Sequence, residues 1–168
     1  MRYIENEGRL VTSASDLKAA SECEFAWVRA IDARLGRIAQ VVEPEDLTLE
    51  RAARLGDRHE RQVLGRYLAD DPDGVATIAQ VSSTDAPALA EAVRLTNAAL
   101  ADPSVRVIYQ AAFATSDFVG FADFLVRDEG GRWLVQDTKL ARRARVTALM
   151  QLAAYVQRLD DLGVPRAD

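Results

Sequence analysis

Residues 118–139 read FVGFADFLVRDEGGRWLVQDTK, two apolar runs on either side of the turn signal DEGG. Apolar runs rich in aromatic and β-branched residues predict strands, and a glycine-rich turn between them predicts a β-hairpin. Both faces of the two strands are apolar, so we expect helices on both sides of them. The stretch therefore predicts the centre of a sheet that is covered by helices.

Each strand of this predicted hairpin carries one aspartate, Asp123 on the first and Asp137 on the second. If the turn is a three-residue loop, 129–131, with glycine in a left-handed conformation, the two aspartates face each other. Facing residues have Cβ atoms roughly 4.5–5.5 Å apart. Two carboxylates at that distance repel each other, and a bound cation would compensate them. A four-residue loop would instead send them to opposite faces, so the register decides whether a cation site exists.

The residues that follow Asp137 suit the same site. Lys139 lies two positions further, on the same strand face, where an ammonium group would stabilise an attacking hydroxide and the charge that develops on a phosphate. The main-chain carbonyl of Thr138 is a candidate for an additional oxygen ligand. Mg²⁺ and Mn²⁺ suit such an oxygen-rich set. Taken alone, however, an Asp-x-Lys triplet is more often a charged strand end than a site.

Two predicted helices carry the remaining candidates. His59 is the only histidine of the chain, and it follows Gly56 on an apolar helix face, where it is a candidate metal ligand. Glu60 is the alternative ligand from the same turn, and a satisfied core histidine is the structural alternative. Gln151 and Tyr155 are four residues apart and share a helix face, from which they could hydrogen-bond a phosphate or a base. Tyr155 alone would equally suit a core position.

The chain has 168 residues, the size of one domain, and a formal net charge of −5. That charge argues against coating nucleic acid by bulk electrostatics, but residues 139–158 contain basic side chains and no acidic one. Arg142, Arg143 and Arg145 are therefore candidates for contacts to DNA phosphates, with a solvated helix start as the open alternative. No apolar run has the length of a signal peptide or a membrane span, so we expect a cytoplasmic protein.

The pattern along the chain predicts an α/β (α+β) fold, with a mixed central sheet that contains an antiparallel hairpin flanked by helices. We expect a single domain over residues 1–168, with an N-terminal helical part at about 13–69 and a sheet core at about 105–162. The last predicted helix returns to the sheet just before the sequence stops, so we expect a fragment of a longer protein whose sheet is truncated by one strand. The predicted helices are 13–36, 48–68, 88–101 and 146–162, and the predicted strands are 75–81, 105–113, 118–127 and 132–139.

With these motifs in order, residues 10 to 163 resemble the RecB-like branch of the PD-(D/E)xK nuclease superfamily, with CRISPR-associated RecB-type exonucleases as cousins. The motif types of that branch are a helix histidine, a Gly-x-x-Asp strand, an Asp-x-Lys strand and a Gln-x-x-x-Tyr helix. They fall here at His59, Asp123, Asp137 with Lys139, and Gln151 with Tyr155. The resemblance implies a restriction-endonuclease-like core. In this core His59, Asp123 and Asp137 bind the metal, and Lys139 is catalytic. It further implies that Gln151 and Tyr155 organise the site or touch DNA. Gln110 also resembles a residue of that branch, and we treat it as structural.

The resemblance implies a Mg²⁺- or Mn²⁺-dependent deoxyribonuclease, an exonuclease acting on single-stranded DNA or DNA ends in repair, recombination or defence. A helicase or a further nuclease domain is the expected fused or associated partner. Many relatives hold an iron–sulfur cluster through four cysteines, and Cys23 stands at the first of those positions. Because it is the only cysteine of this sequence, a cluster would need cysteines outside the chain, and otherwise Cys23 is a small buried residue.

Two other readings of the same sequence stay open. A nuclease-derived module could bind DNA or a partner without cutting it. A small interaction domain could also carry all of these motifs by accident.

Overall fold

The computed structural model describes residues 1–4, 7–41, 46–138 and 146–167 and has an α+β fold. Four of the residues predicted to act at the site, Lys139, Arg142, Arg143 and Arg145, lie outside the described residues. Within them, no helix combines the length and the apolar character that crossing a membrane requires. In chain order the elements are β1 (Arg2–Ile4), β2 (Arg9–Val11), α1 (Ala14–Glu22), α2 (Glu24–Arg34), α3 (Leu47–Asp70), β3 (Val75–Thr77), α4 (Ala86–Ala101), β4 (Val107–Ala114), β5 (Val119–Arg127), β6 (Trp133–Gln136) and α5 (Val146–Asp161).

The central sheet is mixed, as the sequence predicts. Its strand order is β3-β4-β5-β6, with β3 parallel to β4 and the other neighbours antiparallel. The pair β5–β6 is the predicted hairpin. A second, two-stranded antiparallel sheet, β1–β2, was not predicted, and it joins the central sheet through a parallel bridge between Thr12 and Phe118. The sheet thus places β5, which carries Asp123, beside β6, which Asp137 directly follows.

The core lies on both faces of β4 and β5, as expected from their apolar residues. Ile108, Phe124 and Leu125 are completely buried, and so is Leu159 from α5. The expectation fails at β6, where the side chain of Leu134 is 44% exposed. Helix cover is therefore complete at the centre of the sheet and partial at its β6 edge.

The N-terminal helix is divided in two, where the sequence pattern predicted a single helix. Cys23 has an extended backbone (φ −158°, ψ 99°) between α1 and α2, and its thiol accepts the Ala26 N–H at 3.5 Å. Cys23 is also exposed, so the prediction of a small buried residue is wrong. Its role in this structure is to cap α2.

Strand β3 ends at Thr77, four residues earlier than predicted. Beyond that point the free edge of β4 is covered by Thr96 from α4, whose hydroxyl accepts the Ala112 N–H at 2.9 Å. Thr96 is completely buried, and its hydroxyl donates to the Ala92 carbonyl at 2.9 Å. A helix side chain thus replaces the strand pairing that a longer β3 would have provided.

The residues after α5 return to the outer edge of β6. Gly163 has a positive φ of 65°, which turns the chain out of the helix. The Trp133 N–H then donates to the Pro165 carbonyl at 2.9 Å, and the Ala167 N–H donates to the Trp133 carbonyl at 2.9 Å. This edge of the sheet is therefore paired at Trp133, in a single parallel bridge to Arg166.

Candidate functional site

The turn between β5 and β6 is the three-residue loop on which the cation-site prediction depends. The Asp128 N–H donates to the Arg132 carbonyl at 2.8 Å and closes the hairpin around residues 129–131. Gly131 has a φ of 79°, the left-handed conformation expected of glycine in such a loop. The loop length is therefore confirmed.

The register that follows from this loop brings the two aspartates together. Phe124 pairs with Gln136, so the next positions along the strands are Asp123 and Asp137. Both side chains line the same cleft, and Asp137 acts as a side-chain hydrogen-bond partner on the pKa of Asp123. The Thr138 N–H also donates to Asp123 Oδ2 at 3.2 Å. The hairpin therefore presents two carboxyl groups at one point on the sheet.

This contact changes the acidity of one member of the pair. The pKa of Asp123 is raised to about 7, first by burial and then by the hydrogen bond to Asp137 and by its negative charge. The charge of Glu60 raises the pKa further, while the Thr138 N–H acts in the opposite direction. A hydrogen bond between two carboxyl groups needs a proton on one of them. A cation bound between these carboxyl groups would neutralise the same charge as such a proton.

A pH dependence of stability follows from this raised pKa. Asp123 has an ordinary pKa of 3.8 in the unfolded chain and about 7 in the folded one, so the folded state binds the extra proton between these values. Its contribution is fully present below pH 3.8 and is lost as the pH rises to about 7, with a slope of at most about 1.4 kcal/mol per pH unit. Urea unfolding in EDTA at pH 5.5 and 7.5 should show a larger fall for the wild type than for Asp123→Asn. Equal falls would contradict the assignment, because all other groups titrate in both proteins.

Helix α5 brings the predicted amide–phenol pair to the acidic pair. Gln151 and Tyr155 line a cleft of about 160 Å³ together with Asp123 and Asp137. Burial and the charge of Asp123 raise the pKa of Tyr155 to about 12. The phenol therefore stays protonated at neutral pH and can donate a hydrogen bond in this cleft.

The Tyr155 ring is held tightly against β5. A Cβ atom added to Gly120 would lie 2.9 Å from Tyr155 Cε1 and 3.0 Å from its hydroxyl oxygen. On its other sides the ring packs against Phe113 and Phe118, with centroid distances of 6.0 and 6.1 Å. Only glycine leaves room for the phenol beside the aspartates.

Gly120→Ala is accordingly expected to destabilise the fold by about 1–3 kcal/mol, since the displaced ring would lose its packing against Phe113 and Phe118. Gly65→Ala is the matched control, because no atom lies within 4 Å of a Cβ at this position on α3. That substitution should stabilise by up to about 1 kcal/mol through helix propensity. Urea unfolding of both variants checks the prediction, and an equal change in both would contradict the close contact.

Helix α3 is attached to the sheet on the side of Glu60. The Gln110 amide donates to Glu60 Oε1, and the charge of Glu60 acts on Asp123. Two turns further along α3, the Tyr67 hydroxyl donates to Gln136 Oε1 at 2.7 Å. His59 is half-buried, and within the described residues it makes no hydrogen bond. Of the two candidate ligands on this turn, the structure turns Glu60 toward the acidic pair.

No group of three His, Cys, Asp or Glu side chains in the described part of the chain is arranged to hold a metal ion. The role of His59, Asp123 and Asp137 as a ligand set stays a prediction. The donor chemistry still suits Mg²⁺, which is commonly bound by one or two carboxylates together with substrate phosphates and water. The proposed Thr138 carbonyl ligand and the catalytic role of Lys139 stay predictions.

The sequence interpretation treated Gln110 as structural and did not place it beside the acidic pair. The signal that could have revealed it is the register of β4 on β5. Tyr109 pairs with Phe124 and Ala111 with Ala122, so Gln110 stands opposite Asp123. Gln110, Asp123 and Asp137 thus form one row across three strands.

A scan of protein-family models and searches of curated proteins and of solved structures found no match to this chain.

Proposed function

We propose that this chain is the nuclease core of a RecB-like, Mg²⁺- or Mn²⁺-dependent exonuclease with a restriction-endonuclease-like fold, acting on single-stranded DNA or DNA ends. The observation that carries the proposal is the register of β5 on β6, which places Asp123 and Asp137 side by side in one cleft. Two carboxyl groups on neighbouring chain segments, beside an amide and a phenol, suit a cation that is shared with a phosphodiester.

The cleft geometry supports a substrate at this position. Asp123 and Tyr155 line the cleft that contains Gln151, and they also line a second cleft of about 410 Å³ that extends toward Glu60. A DNA strand needs open space on both sides of the phosphate that is cut. The two clefts share Phe121, Asp123 and Tyr155 in their linings and would provide that space.

In the proposed reaction, the oxygen of a water molecule forms a bond to phosphorus as the bond from phosphorus to the 3′ oxygen breaks. The products are a 5′-phosphate and a 3′-hydroxyl, and the departing 3′ oxygen takes up a proton. Asp123 and Asp137 would hold the ion, which when bound would polarise the phosphate and acidify the attacking water. Lys139 would stabilise the charge on the attacking oxygen and the phosphate, while Gln151 and Tyr155 would donate hydrogen bonds that orient the phosphate.

The test is degradation of end-labelled linear single-stranded DNA in Mn²⁺ or Mg²⁺, with EDTA as the blank. Circular single-stranded DNA of the same length is the matched control substrate. We expect the linear DNA to be shortened from an end and the circle to survive, because an exonuclease needs a free end. Cutting of the circle would replace the exonuclease with an endonuclease.

A non-catalytic module that binds DNA or a partner is the second candidate, favoured by the missing three-ligand group among the described residues. It predicts retention of linear DNA in a gel-shift experiment with no metal-dependent loss of length. The two candidates therefore differ in a single comparison on the same labelled strand.

A further inference from the structure

Gln110 has an unusual backbone conformation in the middle of β4. Its φ of 58° makes it the only non-glycine residue with a positive φ in the described ranges. A non-glycine side chain in this region is strained and persists only where its surroundings hold it. Gln110 is also only 6% exposed, although it is polar. The contacts of the Gln110 amide must therefore hold this strained and buried side chain opposite Asp123.

The amide of Gln110 holds a carboxylate from a distant part of the chain. Its Nε2 donates to Glu60 Oε1 across 50 positions of sequence. Gln110 and Glu60 line the same cleft of about 410 Å³. A side chain of β4 thus fixes an acidic group that α3 directs at the site.

Glu60 is close enough to act on the acidic pair but is not part of a three-ligand group. It lines the 410 Å³ cleft together with Asp123 and Gln110. Mg²⁺ keeps several of its water molecules when proteins bind it. A carboxylate at this position can accept hydrogen bonds from such water without contacting the ion.

We propose that Gln110 is a positioning residue that fixes Glu60 as the third carboxylate of the cation site, acting through water, and that His59 takes no part. The inference rests on the proposed function and adds the residue that completes its site. Groups that orient the surroundings of a metal typically contribute roughly 10- to 100-fold to its affinity. Gln110 therefore affects the cation through Glu60 and not by contact.

The test measures Mn²⁺ affinity from thermal stabilisation as a function of Mn²⁺ concentration, beside the melting temperature in EDTA. Glu60→Gln and Gln110→Gly should each weaken Mn²⁺ binding by about tenfold or more. The double variant should be no weaker than Glu60→Gln alone, because the two residues act as one unit. His59→Gln, a substitution on the same helical turn, is the matched control and should change the affinity less than about twofold.

The melting temperature in EDTA separates positioning from a merely structural role. Glycine adopts a positive φ without strain, so Gln110→Gly should melt at the same or a higher temperature while binding Mn²⁺ more weakly. Gln110→Asn is the second variant, since asparagine tolerates the same backbone but its amide is one methylene shorter. A structural role would instead lower the melting temperature and leave the affinity unchanged.

The result that overturns the inference is wild-type Mn²⁺ affinity in Gln110→Gly and Glu60→Gln while Asp137→Asn no longer binds. Weaker binding in His59→Gln alone would overturn it too, in favour of the histidine. In both cases the proposed function stands. Absence of any Mn²⁺ stabilisation in the wild type would overturn the proposed function and this inference together.

Discussion

Asp137→Asn is expected to lower Mn²⁺-dependent cleavage of single-stranded DNA by roughly 10³-fold, because losing the ion removes several kcal/mol of transition-state stabilisation. The substitution keeps the shape of the side chain and removes its charge. In the metal-free protein it also removes the repulsion of Asp123, so the pKa of Asp123 should fall and the fold should not be weakened at pH 8. Initial cleavage rates and urea unfolding, measured on the same preparation, check both parts.

Glu129→Gln is the control for this experiment. Glu129 is exposed at the tip of the same hairpin, so the variant has the same change of net charge away from the site. Its cleavage rate should equal that of the wild type. If Asp137→Asn cleaves at the wild-type rate while remaining folded, the two aspartates do not form the catalytic site.

Lys139→Ala is expected to lower the cleavage rate by roughly 10²–10³-fold, the usual effect of removing one group that stabilises developing charge. Affinity for the same DNA should change little, because one phosphate contact at most is lost. Single-turnover cleavage and fluorescence anisotropy in EDTA measure the two quantities separately. Equal losses in both would make Lys139 a binding residue and not a catalytic one.

Lys18→Ala is the matched control, since Lys18 is the only other lysine of the chain. It lies on α1, 3.8 Å from Glu22, with almost half of its side chain exposed. Neither cleavage nor DNA affinity should change in this variant. A similar loss in both lysine variants would point to general electrostatics as the cause.

The central hairpin was predictable because its register depends on local sequence. A turn of known length fixes which residues of β5 and β6 face each other, and Gly131 identifies that turn. From the loop alone, the sequence predicts that Asp123 faces Asp137. The helix period in the same way places Gln151 and Tyr155 on one face of α5, and in the structure both line the cleft beside Asp123 and Asp137.

The division of the N-terminal helix was not predictable from its apolar pattern. The periodicity continues through Cys23, and the break depends on the backbone conformation that the thiol cap supports. In the described part of the chain, the short strands β1 and β2 pair with each other, and a single bridge to Phe118 comes from Thr12, the residue after β2. Three-residue segments give too little pattern for a sequence to indicate them.

Which of His59 and Glu60 points toward the acidic pair could not be predicted from the sequence either. Adjacent residues on a helix point about 100° apart, so the phase of α3 against the sheet decides which one reaches the site. That phase is fixed by contacts far apart in sequence. Tyr67 packs on Phe124 with a centroid distance of 5.5 Å, and Gln110 holds Glu60.

The central claim is that Asp123 and Asp137 bind a divalent cation in place of a shared proton. Titration calorimetry of the metal-free protein with Mn²⁺ at pH 6, in buffers of different ionisation enthalpy, measures binding and proton release together. We predict one Mn²⁺ site in the wild type that releases close to one proton at pH 6 and almost none at pH 8.5, and no such site in Asp137→Asn. Absence of Mn²⁺ binding in the wild type, or unchanged binding in Asp137→Asn, would contradict the account.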